Sequence, residues 1–376
     1  MLLLSGPCIA GNEWKYVKEC LDTAWVSSVG AYVNQFEQMT AEYTGARYAV
    51  ATSSGTTALH IALLLAGVQP GDAVLVPNLT FVASLNAIKY TGAQPVLIDV
   101  HPDTWQMDVR LIANLLEQEA DVVEGVCRFK ATGQVIRAVM PVHVLGNMVE
   151  MDALMALASK WHLEVVEDAT EALGSTYKGR HAGTFGKLGC FSYNGNKIIT
   201  TGGGGMIVTN DEALAKKAKH LTTQAKADAF EYFHDEVGYN YRLVNVLAAI
   251  GVAQMEQLPG FLARKAEIDA YYRQRLAHLE GVGFQQATPG TSVNHWLFTF
   301  ASSRQPALLK ALNDNKMQSR PFWVPMNQLP MFSQERYVQQ NDVSNTLYKT
   351  CLSIPCSVYI SNEELAAVAD TIVAQS

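Results

Sequence analysis

No two of the six cysteines, Cys8, Cys20, Cys127, Cys190, Cys351 and Cys356, stand in a CxxC pair or at zinc-ligand spacing. That absence argues against a disulfide framework and against a metal site, so a reduced, cytoplasmic protein is expected. No block of lysine and arginine interrupts a chain of net charge -7, so neither nucleic acid nor an anionic membrane surface is an expected partner. The first apolar run, Leu2 to Leu4, has no basic residue before it and Ser5-Gly6-Pro7 after it, which is too short for a signal peptide. No segment approaches the roughly 20 apolar residues of a transmembrane helix. Internal repeats, heptads and low-complexity tracts are also missing. What is present is a globular composition, 49% apolar and 17% charged, in 376 residues. That length accommodates about two domains.

A lead-in of residues 1–45 carries two helical stretches, one capped by Asn12 and running to about Leu21, the other from Tyr32 to Tyr43. Regular alternation follows. Tyr48 to Ala51, Ala73 to Val76, Pro95 to Ile98, Ala138 to Val142, Leu163 to Val166 and Gly205 to Val208 read as strands. Between them lie helices at Ala58 to Gly67, Phe81 to Tyr90 with Thr80 as cap, Gln106 to Glu119, Met151 to Trp161, and Glu212 to Leu221 with Asn210 as cap. Such a pattern implies an α/β fold with a mainly parallel sheet and helices on its faces. Lys130-Ala131-Thr132-Gly133 has the composition of a hairpin turn. Leu243 to Gln257 reads as an apolar helix stopped by Pro259-Gly260, and Phe261 to about Leu279 as a second, charged one. The boundary is placed there, giving a large domain of residues 1–257 and a smaller α+β domain of residues 258–376.

Ligands of an open parallel sheet bind outside the carboxyl ends of its strands, and three features stand at such ends. Ser53-Ser54-Gly55-Thr56-Thr57 precedes a helix that is apolar nearly all round. Free N–H groups, the helix dipole and hydroxyl donors there suit a phosphate, although an ordinary Ser/Thr cap has the same composition. Glu167-Asp168 ends the apolar strand Leu163 to Val166, either as a satisfied structural acid or as a partner for a buried cation. Lys197 lies in the apolar and small polar stretch Gly189 to Thr201, ahead of the glycines Gly202 to Gly205. A lysine desolvated in such company becomes an amine nucleophile, whereas an exposed one is only a surface charge. Taken together, a phosphate cup, a strand-end acid and a desolvated lysine are the requirements of pyridoxal phosphate.

With these residues in place the chain resembles the sugar aminotransferases of the DegT/DnrJ/EryC1/StrS family, fold type I pyridoxal phosphate enzymes. The likeness is carried along almost the whole chain by Trp25 to Gly30, Ser54-Gly55-Thr56, Pro77 to Phe81, Glu167 to Ala172, Phe191-Ser192-Tyr193 through Lys197, and Gly238 to Arg242. The resemblance implies Lys197 as the Schiff-base and proton-shuttling lysine and Asp168 as partner of the pyridine nitrogen. It further implies that Gly55, Thr56 and Ser192 hold the phosphate and that Phe81 stacks on the ring. Asn240 would reach the phosphate of the neighbouring subunit, making a homodimer with shared active sites. Glu171 stands where many members have a glutamine that touches the cofactor's hydroxyl side, and Asn194 replaces a common histidine. A lysine at 197 favours transamination over the dehydration or deoxygenation of relatives with histidine there. A non-catalytic, cofactor-binding regulator is a further alternative.

The implied reaction moves nitrogen from L-glutamate to the keto carbon of a nucleotide-linked sugar. Asn194 to Thr201 and Arg128 to Asn147 resemble the branch making 4-amino-4,6-dideoxy-N-acetylhexosamines, precursors of bacillosamine and legionaminic acid. Trp25 and Ser27 lie in a loop that faces substrate in relatives. His143, Trp296 and Trp323 are candidates for the sugar pocket, or equally for core or surface.

Overall fold

The computed structural model describes residues 1–228 and 230–375. Its centre is an eight-stranded sheet. In chain order the strands are β1 (Tyr48–Thr52), β2 (Ala73–Pro77), β3 (Gln94–Ile98), β4 (Ile136–Val139), β5 (Glu164–Asp168), β6 (Leu188–Ser192), β7 (Gly205–Thr209) and β8 (Tyr337–Val338). Across the sheet they lie in the order β1-β7-β6-β5-β4-β2-β3-β8. Only β7 runs against its neighbours, pairing antiparallel with both β1 and β6. All other strands therefore point their carboxyl ends to one edge.

Alternation along the strands divides the core in two. Ala73 and Leu75 of β2 enter one buried cluster while Val74 and Val76 enter the other, because successive side chains leave opposite faces. Helix α3 (Gly55–Leu65) is apolar nearly all round because it is buried within the second cluster. The lead-in helices α1 (Glu13–Asp22) and α2 (Ala31–Thr44) pack on the long helix α5 (Asn245–Leu276), while α4 (Ala83–Tyr90) follows β2.

Helix α5 runs unbroken from Asn245 to Leu276 with Pro259 inside it. The expected stop at Pro259-Gly260 is thus corrected. A proline removes one backbone donor and crowds the preceding turn, but buried residues on both sides hold this helix together. Met255, Leu258 and Phe261 belong to the core of the main sheet, and Ile268, Tyr272 and Leu276 to a separate C-terminal core. The change from one core to the other therefore falls inside a continuous helix. By length and composition alone α5 could cross a membrane, yet half of its apolar window is buried against the rest of the chain. A four-stranded antiparallel sheet, ordered Val282–Phe284, Phe298–Ser302, Cys351–Ile354, Arg320–Pro321, completes the C-terminal unit.

Local signals misplace some ends. Asp211, not Asn210, caps the helix Glu212–Thr222 by accepting from Ala213 and Leu214 N–H, because Asn210 Oδ1 accepts from Arg47 N–H instead. Thr80 bonds Ser84 rather than capping α4. The turn at Lys130 to Gly133 forms, and a further hairpin, Ala120–Val123 with Val126–Phe129, precedes it.

Candidate active site

Loops leaving the carboxyl edge after β1, β2, β4, β5 and β6 converge on one region. After β1, Ser54 caps α3: its hydroxyl accepts from Thr57 N–H at 3.2 Å while Thr57 Oγ1 accepts from Ser54 N–H at 3.1 Å. Gly55 opens the helix, and a Cβ there would lie 2.8 Å from Ser192 Cβ and 3.1 Å from Thr170 Cγ2. Three separate loops therefore meet at Gly55, and a side chain would push them apart. The glycine run has a similar reason at Gly205, where a Cβ would fall 2.3 Å from Ser54 O. What approaches that glycine is the cup's own peptide. Thr56, next in the same turn, is half-buried.

The two acids at the end of β5 separate sharply in role. Glu167 is fully buried and faces His143 Nε2 at 3.0 Å, while accepting from the N–H groups of Gly183, Phe185 and Gly186 at 2.8, 2.6 and 2.6 Å. It is a satisfied structural carboxylate, and it keeps His143 in the core rather than in a pocket. Among the described residues the Asp168 carboxylate accepts only from Ser84 Oγ at 2.7 Å and Thr170 N–H at 3.1 Å. One turn later Glu171 accepts from Leu145 N–H at 2.8 Å, and Leu145 takes φ +60, unusual for leucine.

Lys197 reaches this floor from the loop after β6. Its Nζ lies 3.9 Å from Glu171 Oε1 and 3.8 Å from the centre of the Trp296 ring. Burial lowers its proton affinity, against the pull of Glu171 and then Asp168. Burial likewise raises Glu171, to about 7, with Lys197 opposing. A small enclosed space beside them is lined by Thr170, Glu171, Leu173, Ser192, Lys197 and Trp296 among others. The arrangement can hold an amine of reduced proton affinity and exchange its proton with a nearby carboxylate.

Other expected residues stand around this cluster. Phe81 follows β2 and is 55% exposed, as is Trp25 at 56%, so neither is a core aromatic. The loop bearing Trp25 and the exposed Ser27 is pinned by Asn245, whose Nδ2 donates to Trp25 O and whose N–H donates to Ser27 O. Asn240 is exposed and accepts twice from Arg242, while Tyr241 O accepts from Ser53 N–H beside the cup. Trp323 is half-buried and packs on Phe322. Leu145 and the orienting part of Trp296 were not found from sequence, since Leu145 acts through its backbone and Trp296 is remote in the chain.

A model of the DegT/DnrJ/EryC1/StrS aminotransferase family matches residues 7–373. GDP-perosamine synthase of Escherichia coli O157:H7 is 39% identical over 97% of this chain and 96% of its own. The GDP-perosamine synthase of Vibrio cholerae is 33% identical over 99% and 98%. The solved aminotransferase TlmJ from Streptoalloteichus hindustanus superposes with a TM-score of 0.89 at 26% identity, covering 100% of this chain and 98% of that one.

Proposed function

The chain belongs to the DegT/DnrJ/EryC1/StrS aminotransferase family, whose cofactor is pyridoxal phosphate, and from that premise we propose that it carries nitrogen from L-glutamate to C4 of a nucleotide-linked 4-keto-6-deoxy sugar for cell-surface glycan synthesis. The observation that carries this reading is the largely enclosed Lys197, its side chain 13% exposed, held between Glu171 and Trp296 at the carboxyl edge of the sheet. The residues fit the cofactor, because Gly55, packed without a side chain against Ser192 and Thr170, places backbone N–H groups of a helix N-terminus beside hydroxyl donors. Buried Asp168 retains acceptor capacity beyond its two bonds.

Bound pyridoxal phosphate supplies an aldehyde that accepts nitrogen and a ring that draws electrons from the carbon losing its proton. The chain supplies the rest. Gly55, Thr56 and Ser192 would hold the phosphate, Asp168 would serve as partner of the ring nitrogen, and Phe81 would stack on the ring. Lys197 Nζ takes and returns protons, and Glu171 sets the affinity with which it does so. Trp25 and Ser27 line the sugar side. Asn240 completes the neighbouring subunit's site in a homodimer, a reading supported by the exposed Phe230, Tyr232, Phe233 and Val237 in the same segment.

The relatives named GDP-perosamine synthase favour a GDP-linked sugar. The stretch Asn194 to Thr201, which resembles the N-acetylated branch, makes a nucleotide-linked 4-keto-6-deoxy-N-acetylhexosamine the second substrate to test. Purified protein should show a cofactor absorbance band that L-glutamate converts to the pyridoxamine form, and Lys197→Ala should lack that conversion. Mass spectrometry of reactions with each keto sugar then looks for the amino sugar. A dehydrated or deoxygenated product would refute amino transfer, and no product from either sugar would refute the substrate class.

A further inference from the structure

Trp296 belongs to the C-terminal side of the chain, two residues before the strand Phe298–Ser302, yet it is 3% exposed against the loop that bears Lys197. It engages that loop twice. The ring face meets Lys197 Nζ at 3.8 Å, and the indole Nε1 donates to Asn196 O at 2.7 Å. Asn196 O also accepts from Ser5 Oγ at 3.1 Å, so the peptide preceding Lys197 is tied from two sides.

Behind Trp296 stands a second lysine. Lys265, on α5, is 2% exposed and donates through Nζ to Trp296 O and Cys356 O, each at 2.7 Å. No carboxylate contact accompanies these bonds among the described residues. A lysine buried on two carbonyls and the Cys356 Sγ at 3.6 Å, with no carboxylate, is costly to place, and burial lowers its proton affinity. What it secures is the position of the Trp296 backbone relative to Cys356, whose own N–H donates to Leu4 O. Lys265, Cys356 and the N-terminal segment thus converge on the residue that faces the catalytic amine.

We propose that Trp296, pegged from behind by Lys265, is a positioning residue for Lys197, holding its free amine over the indole face so that the C-terminal unit governs its proton exchange. The proposal rests on Lys197 being the proton-handling lysine. An aromatic face favours the ammonium over the neutral amine. The titratable groups facing Lys197 are Glu171, 3.9 Å away on the turn after β5, and Asp168 at the end of that strand. Both are acids that favour the ammonium, and burial opposes them. Trp296 adds an uncharged contribution of the same sign from a different part of the chain.

The test uses protein saturated with pyridoxamine phosphate, in which Lys197 keeps a free amine whether or not any sugar is turned over. An acylating reagent is applied across a pH series, and modification of the Lys197 peptide is quantified by mass spectrometry. Trp296→Leu should lower the half-labelling pH by about one unit, giving labelling on the order of tenfold faster on the acid side. Trp296→Phe, which keeps an aromatic face, should restore most of the wild-type value. Lys265→Met should shift in the same direction as Trp296→Leu while leaving Glu171 and Asp168 in place. A Trp296→Leu profile superimposable on wild type would overturn the proposal and leave Trp296 as packing. Failure to form an amino sugar, with these shifts intact, would count against the proposed reaction and not against the role of Trp296.

Discussion

Replacing Glu171 by glutamine removes the nearest charge to Lys197 while leaving an oxygen to accept from Leu145 N–H. The pair stands at 3.9 Å, which at an effective dielectric of about 20 corresponds to about 4 kcal/mol of attraction. That figure is an upper bound on what the substitution removes, equivalent to about three pH units at Lys197. The sign follows from burial. Desolvation already lowers the proton affinity of Lys197, and Glu171 acts against it. Without the carboxylate the amine should hold its proton less tightly, retaining only Asp168 as a charged partner. Glu171 itself is raised to about 7, so in wild type the support it gives the ammonium fades as pH falls through that value. The assay is the rate of glutamate-driven conversion of the cofactor band, measured by stopped flow from pH 5.5 to 9. Wild type should show a limb near pH 7, and Glu171→Gln should lose that limb and move the lysine's own limb to lower pH. A variant that keeps the wild-type profile, at any absolute rate, would refute the assignment of Glu171 as the group that sets the lysine. The same raised affinity means that the stabilising effect of Glu171 protonation is lost as pH rises from the ordinary 4.5 through about 7. The thermal midpoint of Glu171→Gln should therefore gain on wild type over that window.

Gly55→Ala should weaken cofactor retention by tenfold or more in a dialysis assay, because its Cβ would stand 2.8 Å from Ser192 Cβ where three loops meet; unchanged retention would remove Gly55 from the phosphate site. Glu167→Gln should destabilise the fold by about 2–4 kcal/mol in denaturant unfolding, since it leaves buried donors from Gly183, Phe185 and Gly186 competing for one oxygen, while the pH dependence of cofactor absorbance stays as in wild type. Asn240→Ala and Lys197→Ala should each be inactive alone but regain activity when mixed and reassembled, because the mixed dimer has one site with both native residues. No recovery on mixing would show that Asn240 serves its own chain.

Much of the site was legible because it is local. Ser54-Gly55-Thr56-Thr57 announces a helix start by composition, and the structure forms the reciprocal Ser54–Thr57 cap. Glu167 and Asp168 end an apolar strand, so their burial could be read, but not their division of labour. Three backbone donors from residues 183–186 claim Glu167, and only the fold brings that loop to it. The Pro259-Gly260 pair misled for a related reason. Turn chemistry is a local preference of modest size, and packing of both halves of α5 into two different cores outweighs it.

The order of strand, cup, acid and lysine along the chain pointed by itself to the α/β class, the kind of ligand and Lys197 as the candidate amine, because periodicity and chemical type are properties of short segments. The tertiary structure alone decided what Lys197 touches. Trp296 is 99 residues away in sequence, Lys265 on α5 stands behind it, and Leu145 holds Glu171 through a peptide N–H rather than a side chain. A lysine's proton affinity depends on burial and on charges within a few ångströms, and those distances exist only once the sheet edge, α5 and the C-terminal unit have come together.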